Sequence, residues 1–457
     1  MRIADLPLAE FPGFSQNNPM AIIEPRALKG FRDFLPPAEI ARRELTERIE
    51  GCFRSFGFVP IDTPALEYAE ILLGKSGGET EKQIYRFKDN GDRDVALRFD
   101  LTVPFARFLA EHRADLTMPF KRYHIAKVWR GENTQKGRYR EFTQCDFDIV
   151  GSDSAAADFE ILLMMQKTLQ AAGAGAVEIR VNHRGLFNRF LEKIHALDHS
   201  AEILRTVDKL GKIGGEETLA LLAAFLDEDR GKQILDFVTA KPCWDDTFTA
   251  MVDAAGGGPE ADRLSQIRQF MIDTGTENSF LLDPSITRGL DYYTGVVFET
   301  FLTDMPGIGS VCSGGRYDNL VGLYSKDSIT GVGAAIGLDR LIAALENLGK
   351  LPERHSYADT AIACVSEETG GRAQALGMKL REEGIACEVM LEGSREKIAK
   401  QYALAEKKGA RFLVIPDEKN VAGSITLRDL RSRENIERIS VDEAAALIRQ
   451  IREEAGK

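Results

Sequence analysis

Three arginines spaced along a short stretch are the first residues in this chain that could do chemistry. In VWRGENTQKGRYREFTQCDFD, Val128 to Asp148, a strand, a loop and a returning strand would bring Arg130, Arg138 and Arg140 together, with Glu132 and Phe142 beside them. A planar guanidinium grips phosphate oxygens in a fork, and Phe142 could stack on a purine. An isolated Arg-x-Glu more often marks a charged hairpin facing water. The loop length and the distal Arg and Phe move the reading toward a nucleotide. A second phosphate-facing element is expected in GVGAAIGLDRLIAAL, Gly331 to Leu345. There Gly333 and Gly337 allow close backbone approach, and Arg340 projects from a helix start, where an anion is welcome.

TRGLDYYTGVVFE and SVCSGGRYDNLVG place Tyr292, Tyr293 and Tyr317 among small residues, together with Arg288 and Arg316, and Gly314 and Gly315 permit a tight wall. Adjacent tyrosines on a strand point to opposite faces, so at most one of Tyr292 and Tyr293 lines a pocket directly. Core packing would suit any one of the three. Gln144 and Asp148 lie four residues apart on a strand and therefore share a face. Asp100, Leu101 and Thr102 sit in RFDLTVPFARF, where an alternating strand would explain the same residues as packing. The six histidines show no metal spacing such as HExxH and read as structural or exposed. Glu132, Asp146 and Asp148 would suit a glycosidase, but the arginines around them favour phosphate chemistry.

The elements that must position these residues follow from periodicity. AEIARRELTERIEGCFRSFG spaces Ile40, Leu45, Ile49 and Phe53 as a helix, with Gly57 as a stop. A short strand follows in FVPIDTPALEY. The segments DVALRFDL, PFKRYHIAKVWRG and REFTQCDFDIVG predict three adjacent strands of an antiparallel sheet, followed by a helix from Ala155 to Ala172. A helical insertion spans about 186–274, after which strands resume at FLLDP, VVFETFL and SVCSGGRYD. Beyond Leu351, strand and helix alternate through DTAIACVS, CEVML, RFLVIP and SITLRD to a final helix from Val441, which predicts an α/β module over 358–457. Residues 1–25, rich in proline, read as an irregular leader before a body spanning 26–350.

With 457 residues, two or three domains are expected. The formal net charge of -12 argues against coating nucleic acid nonspecifically, a mode that needs broad Lys and Arg excess, but leaves room for local basic patches. The six cysteines form no CxxC pair and read as reduced thiols of a cytoplasmic protein. No apolar run approaches the roughly 18 residues that span a bilayer, and Met1 to Met20 has no signal-peptide pattern.

Val128 to Asp148 strongly resembles the second signature motif of class II aminoacyl-tRNA synthetases, and Gly331 to Leu345 resembles the third, with Asp339 where Glu is usual. The helix and strand ending at Pro64 would be the first motif, which in this class builds a dimer interface, although a core helix and strand explain Pro64 almost as well. TRGLDYYTG and SVCSGGRYD match, nearly letter for letter, the two signatures peculiar to the histidyl-tRNA synthetase family. The resemblance implies an α+β catalytic body on an antiparallel sheet and a C-terminal anticodon-binding domain. It implies activation of L-histidine with Mg-ATP, transfer to tRNA(His), a homodimer and no structural metal. By the same resemblance, Arg130 holds the α-phosphate and the substrate carboxylate, Glu132 accepts from the adenine amino group, Phe142 stacks on adenine, and Arg138 and Arg340 contact phosphate. Arg288 sits beside the α-phosphate as a catalytic charge. Asp100 and Thr102, with Leu101 between them, bind the histidine amino group. Gln144 and Asp148 meet the amine and imidazole, Asp148 standing where some members have Glu, and Tyr292, Tyr293 and Tyr317 shape the pocket. The alternative is a non-catalytic, synthetase-like regulatory subunit of ATP phosphoribosyltransferase, which lacks the C-terminal domain.

Overall fold

The computed structural model describes residues 23–74, 83–286, 293–318, 321–325, 328–364, 366, 370–391, 398–417 and 424–455. The helix Pro36–Ser55 opens on two prolines, whose missing N–H groups cost nothing in a first turn. It buries Ile40, Leu45, Ile49 and Phe53, the residues that the helical spacing picks out. Strands follow in the order β1 (Val59–Pro60), β2 (Leu66–Tyr68), β3 (Arg86–Lys88), β4 (Asp94–Leu97), β5 (Phe120–Trp129), β6 (Glu141–Val150), β7 (Val177–His183), β8 (Phe280–Leu282), β9 (Val296–Leu302), β10 (Cys312–Tyr317) and β11 (Gly331–Gly337).

Eight of these form one sheet in the order β1-β5-β6-β11-β10-β9-β7-β8. The ladder is antiparallel from β5 to β7, and only the short outer strands β1 and β8 pair in parallel. One expectation fails: β4 does not join β5 and β6 but forms a separate three-stranded sheet, β2-β4-β3. Local alternation reveals a strand, not its partner, and β4 finds two short neighbours that carry little signal of their own. A second correction concerns RFDLTVPFARF, which leaves β4 at Leu97 and becomes the helix Thr102–His112. Pro104 fits because it lies within the helix's first turn, where no intrahelical N–H is needed.

One face of the large sheet is apolar. Cys145, Phe147 and Ile149 of β6, Val332 and Ile336 of β11, and Phe298 of β9 pack into a core with Phe53 and with Ile161, Leu162 and Met165 of the helix Ala155–Ala171. The chain between β7 and β8 is helical, from Arg184–Lys193 to Pro259–Asp273. After Leu351 the strands β12 (Thr360–Ile362), β13 (Cys387–Val389), β14 (Phe412–Pro416), β15 (Ile425–Asp429) and β16 (Asn435–Ile439) form a second sheet, β13-β12-β14-β15-β16. It packs with the helices Gly370–Glu382 and Val441–Ala455 around its own core of Ile362, Leu380, Phe412, Val414 and Ile448. β16 was not foreseen: its residues are almost wholly exposed, so no apolar alternation marks it.

Candidate active site

The opposite face of the sheet is polar, and β6 supplies its floor. Phe142, Gln144, Asp146 and Asp148 share one face by the two-residue period of a strand. They stand opposite Val128, Ala126, His124 and Arg122 of β5. On the other side, Gly337, Ala335 and Gly333 of β11 face Gln144, Asp146 and Asp148. Small residues are required there: a Cβ at Gly333 would lie 2.0 Å from Asp148 Oδ1, and one at Gly331 would lie 2.5 Å from the Tyr317 ring.

Asp148 is held from two directions. Tyr317 donates its hydroxyl to Oδ1 at 2.6 Å, and Arg122 Nη2 lies 2.6 Å from Oδ2 as an ion pair. Arg122 is completely buried and lies 4.1 Å over the Phe105 ring. Burial pushes the Asp148 carboxyl above its ordinary value, while Arg122 and Tyr317 pull it back down. Asp146 is raised further, first by burial and then by the neighbouring Asp148 and Asp100 charges, with Arg122 and Arg130 opposing. Asp100 accepts the Val103 N–H at 3.0 Å at the start of its helix, and burial lifts its carboxyl to about 6. Thr102 Oγ1 stands 3.5 Å from Asp146 Oδ2. Three buried oxygens, Asp100 Oδ2, Gln144 Oε1 and Asp146 Oδ1, have no hydrogen-bond partner among the described residues. Buried acceptors without donors are rare in folded proteins, and a ligand carrying N–H groups would satisfy them.

At the end of β6 nearest Phe142, the hairpin brings Arg130 and Arg138 to Glu132, at 3.9 and 3.7 Å. Arg130 donates Nε to Phe99 O at 2.9 Å and lies 5.3 Å over the Phe142 ring. Gln135 and Arg138 bridge across the loop, and Gly137 turns it at a φ of 75°. A Cβ at Gly137 would touch Arg340 Cγ at 3.5 Å, so the hairpin tip rests on the helix Leu338–Asn347. Arg340 donates to Ser310 O at 2.5 Å. The expected trio of guanidiniums forms only in part: Arg130 and Arg138 reach the Glu132 carboxylate, whereas Arg140 donates Nε to Glu132 O at 3.2 Å and Nη1 to Lys29 O of the N-terminal segment at 3.4 Å.

Other residues divide. Leu101 is fully buried, and the half-buried Tyr293 packs in the same cluster as Tyr317. Arg316 does not join Tyr317: as its sequence neighbour it faces the opposite side, where Nη2 pairs with Asp158 of the helix Ala155–Ala171 at 2.7 Å. Arg288 and Tyr292 lie outside the described residues. His124 stands 2.9 Å from Asp62, and burial lowers its pKa to about 4, while His183 accepts from Gly185 N at 3.1 Å. Among the described residues, no group of three or more His, Cys, Asp and Glu could hold a metal ion, and no helix is long and apolar enough to cross a membrane.

Two residues of the floor, Arg122 and Asp146, are not among the expected ligand contacts. Asp146 carries a signal for it, since it has the parity of Gln144 and Asp148. Arg122 carries little, because Lys121, His124 and Lys127 in the same strand make it one charge among several.

Residues 30–341 match the family model of histidyl-tRNA synthetase, and residues 359–451 match the anticodon binding domain. A histidine–tRNA ligase of Treponema denticola is 54% identical over 404 residues, covering 87% of this chain and 90% of that protein. The crystal structure of histidyl-tRNA synthetase from Nostoc sp. PCC 7120 superposes with a TM-score of 0.84 at 30% identity, covering 94% of this chain and all of the other. A Bacillus halodurans structure described as an ATP phosphoribosyltransferase regulatory subunit/histidyl-tRNA synthetase superposes at 0.72 over 86% of this chain, and at 20% identity it shares the fold alone.

Proposed function

The chain belongs to the histidyl-tRNA synthetase family, and from that premise we propose how its residues perform the reaction: L-histidine and ATP give histidyl-adenylate and pyrophosphate, and the histidyl group then passes to the 3′ end of tRNA(His). The observation that carries this reading is the Asp148 carboxylate, fixed between Arg122 and Tyr317 on the floor that also bears the unpartnered oxygens of Gln144 and Asp146. A fixed carboxylate facing an imidazole N–H rejects apolar side chains of similar size, because they would leave it unpaired.

The amino group of histidine meets Asp100, Thr102 and Gln144, with the backbone of Leu101 beside them, and Tyr293 closes the ring side. Adenine lies on Phe142 with its amino group toward Glu132, and Arg138 and Arg340 take the phosphates. Arg130 bridges the histidine carboxylate and the α-phosphate. One carboxylate oxygen attacks the α-phosphorus as the bond to the pyrophosphate oxygen breaks, and the terminal ribose hydroxyl of tRNA later attacks the acyl carbon, releasing AMP. Both steps need alignment and fixed positive charge rather than a protein nucleophile. Arg130 supplies such charge from the hairpin, and the resemblance assigns the other side to Arg288, with Tyr292 at the pocket wall. Mg2+ enters with ATP as part of the substrate.

The regulatory alternative is not favoured, since the chain retains Arg130, Arg138 and Arg340 and carries the anticodon-binding module. We assign the body to 26–350, with its insertion at about 186–274, and the module to 358–457. The protein works in the cytoplasm as a homodimer through the first-motif region, the helix and strand ending at Pro64. In support of the dimer, Tyr68 and Phe87 both stand opposite Val95 of β4, so Leu66, Tyr68 and Phe87 form one apolar face, and all three are exposed.

The test of function is ATP–pyrophosphate exchange by the purified chain. Exchange that requires histidine is expected; no exchange, or exchange driven by proline, would overturn the assignment.

A further inference from the structure

The segment before the first helix lies against both elements assigned to ATP. The Arg32 guanidinium sits 3.7 Å over the ring of Tyr139, which stands between Arg138 and Arg140 in the hairpin, and 4.5 Å over Phe34. The same guanidinium forms an ion pair with Asp339, the residue before Arg340. The other oxygen of Asp339 accepts the Thr143 N–H at 2.6 Å, and Thr143 lies between Phe142 and Gln144. The backbone joins in. Gly30 O accepts the Arg140 N–H at 2.9 Å, and Gly30 adopts a φ of 89° so close to the hairpin that a Cβ would meet Arg140 Cγ at 2.7 Å.

The geometry of Asp339 gives these contacts their meaning. β11 pairs with β6 as far as Gly337 opposite Gln144 and then turns into the helix Leu338–Asn347. One residue further along β6, the Thr143 amide is taken by the Asp339 carboxylate instead of a backbone carbonyl. That carboxylate is only 3% exposed, and burying it without a cation would be costly. Arg32 supplies the cation, and its plane allows stacking on Tyr139 at the same time, which a lysine cannot reproduce. Arg42 reinforces the corner by donating to Thr143 Oγ1 while its guanidinium lies 4.7 Å from Phe34.

We propose that Arg32 is a positioning residue for ATP: through Asp339 it sets Arg340 and Phe142 in register, and through Tyr139 it steadies Arg138. Arg32 acts through these neighbours and not on the substrate. The inference rests on the function proposed above. It concerns the nucleotide half of the site, because the contacts gather at Phe142, Arg138 and Arg340, whereas Asp148 and Asp100 are held by Arg122, Tyr317 and Val103.

The experiment compares Arg32→Ala, Arg32→Lys, Asp339→Asn and the double variant Arg32→Ala with Asp339→Asn, in histidine-dependent pyrophosphate exchange and thermal melting. Arg32→Ala should raise KM for ATP about tenfold while KM for histidine stays within about twofold. Arg32→Lys should keep the melting temperature yet recover only part of the ATP affinity, so it decides the matter if the alanine variant does not fold. The double variant should be no worse than Asp339→Asn alone, as expected for two residues acting as one unit. An unchanged ATP KM in folded Arg32→Lys and Arg32→Ala, equal rises in both KM values, or additive effects in the double variant would overturn the proposal. Wild-type chain without histidine-dependent exchange would instead sink the function itself, and this inference with it.

Discussion

In the proposed pocket the histidine amino group arrives charged, so Asp100 must be ionised to meet it, yet burial lifts its carboxyl to about 6 from an ordinary 3.8. The sign of the linkage is that of an acid raised by folding. Below 3.8 the group is protonated in both states and costs nothing; the penalty grows as pH rises toward about 6 and is complete above it. Binding runs the other way. KM for histidine should fall as pH rises through about 6 and level off above it. The imidazole of free histidine titrates nearby, near about 6.5, so Asp100→Asn is the control: an equally deep inflection in that variant would rule Asp100 out as its source. A bound ammonium would add to the opposing charge that Arg130 and Arg122 already place near Asp100.

Among the elements, β6 was legible because its polar and apolar residues alternate without a break from Gln144 to Ile149, and parity alone put Gln144 and Asp148 on one face. Parity applied to β10 would also have separated Arg316 from Tyr317, but a cluster of functional residue types obscured it. What periodicity cannot supply is pairing. Nothing local says that β4 leaves the large sheet, that the exposed β16 is a strand, or that Arg122 meets Asp148. Those follow from contacts between residues distant in sequence. The glycines of β11 carry a sharper demand than backbone freedom, since at Gly333 a methyl group would displace Asp148 from Tyr317. Gly333→Ala should cost about 1–3 kcal/mol by overpacking and raise KM for histidine. Urea unfolding and exchange kinetics check this, and two unchanged results would show that the floor yields more easily than its geometry implies.

For the whole molecule, Leu66, Tyr68 and Phe87 form an exposed apolar face on the small sheet, and the short strand β1 is an edge of the large one. A monomer would leave this face in water. Sedimentation velocity should therefore find a dimer, and Leu66→Glu with Phe87→Glu should convert it to monomers; a wild-type monomer at micromolar concentration would refute the interface. The boundary between the two sheets was readable as a change of texture near Leu351. Its fastening was not, since Arg354 of the connecting segment pairs with Glu44 of the first helix at 3.0 Å, 310 residues away.

The two faces of β6 also bear on how such an enzyme can change over generations. Cys145, Phe147 and Ile149 answer to the core, whereas Gln144, Asp146 and Asp148 line the proposed pocket, where burial raises both carboxyls above their ordinary values. The two sets are tied together at Asp148, whose loss would leave the completely buried Arg122 without its ion-pair partner. Drift of the pocket toward a new substrate therefore has to change Asp148 and Arg122 together. A single-residue insertion in β6 is tolerated still less, because it would exchange the two faces at once.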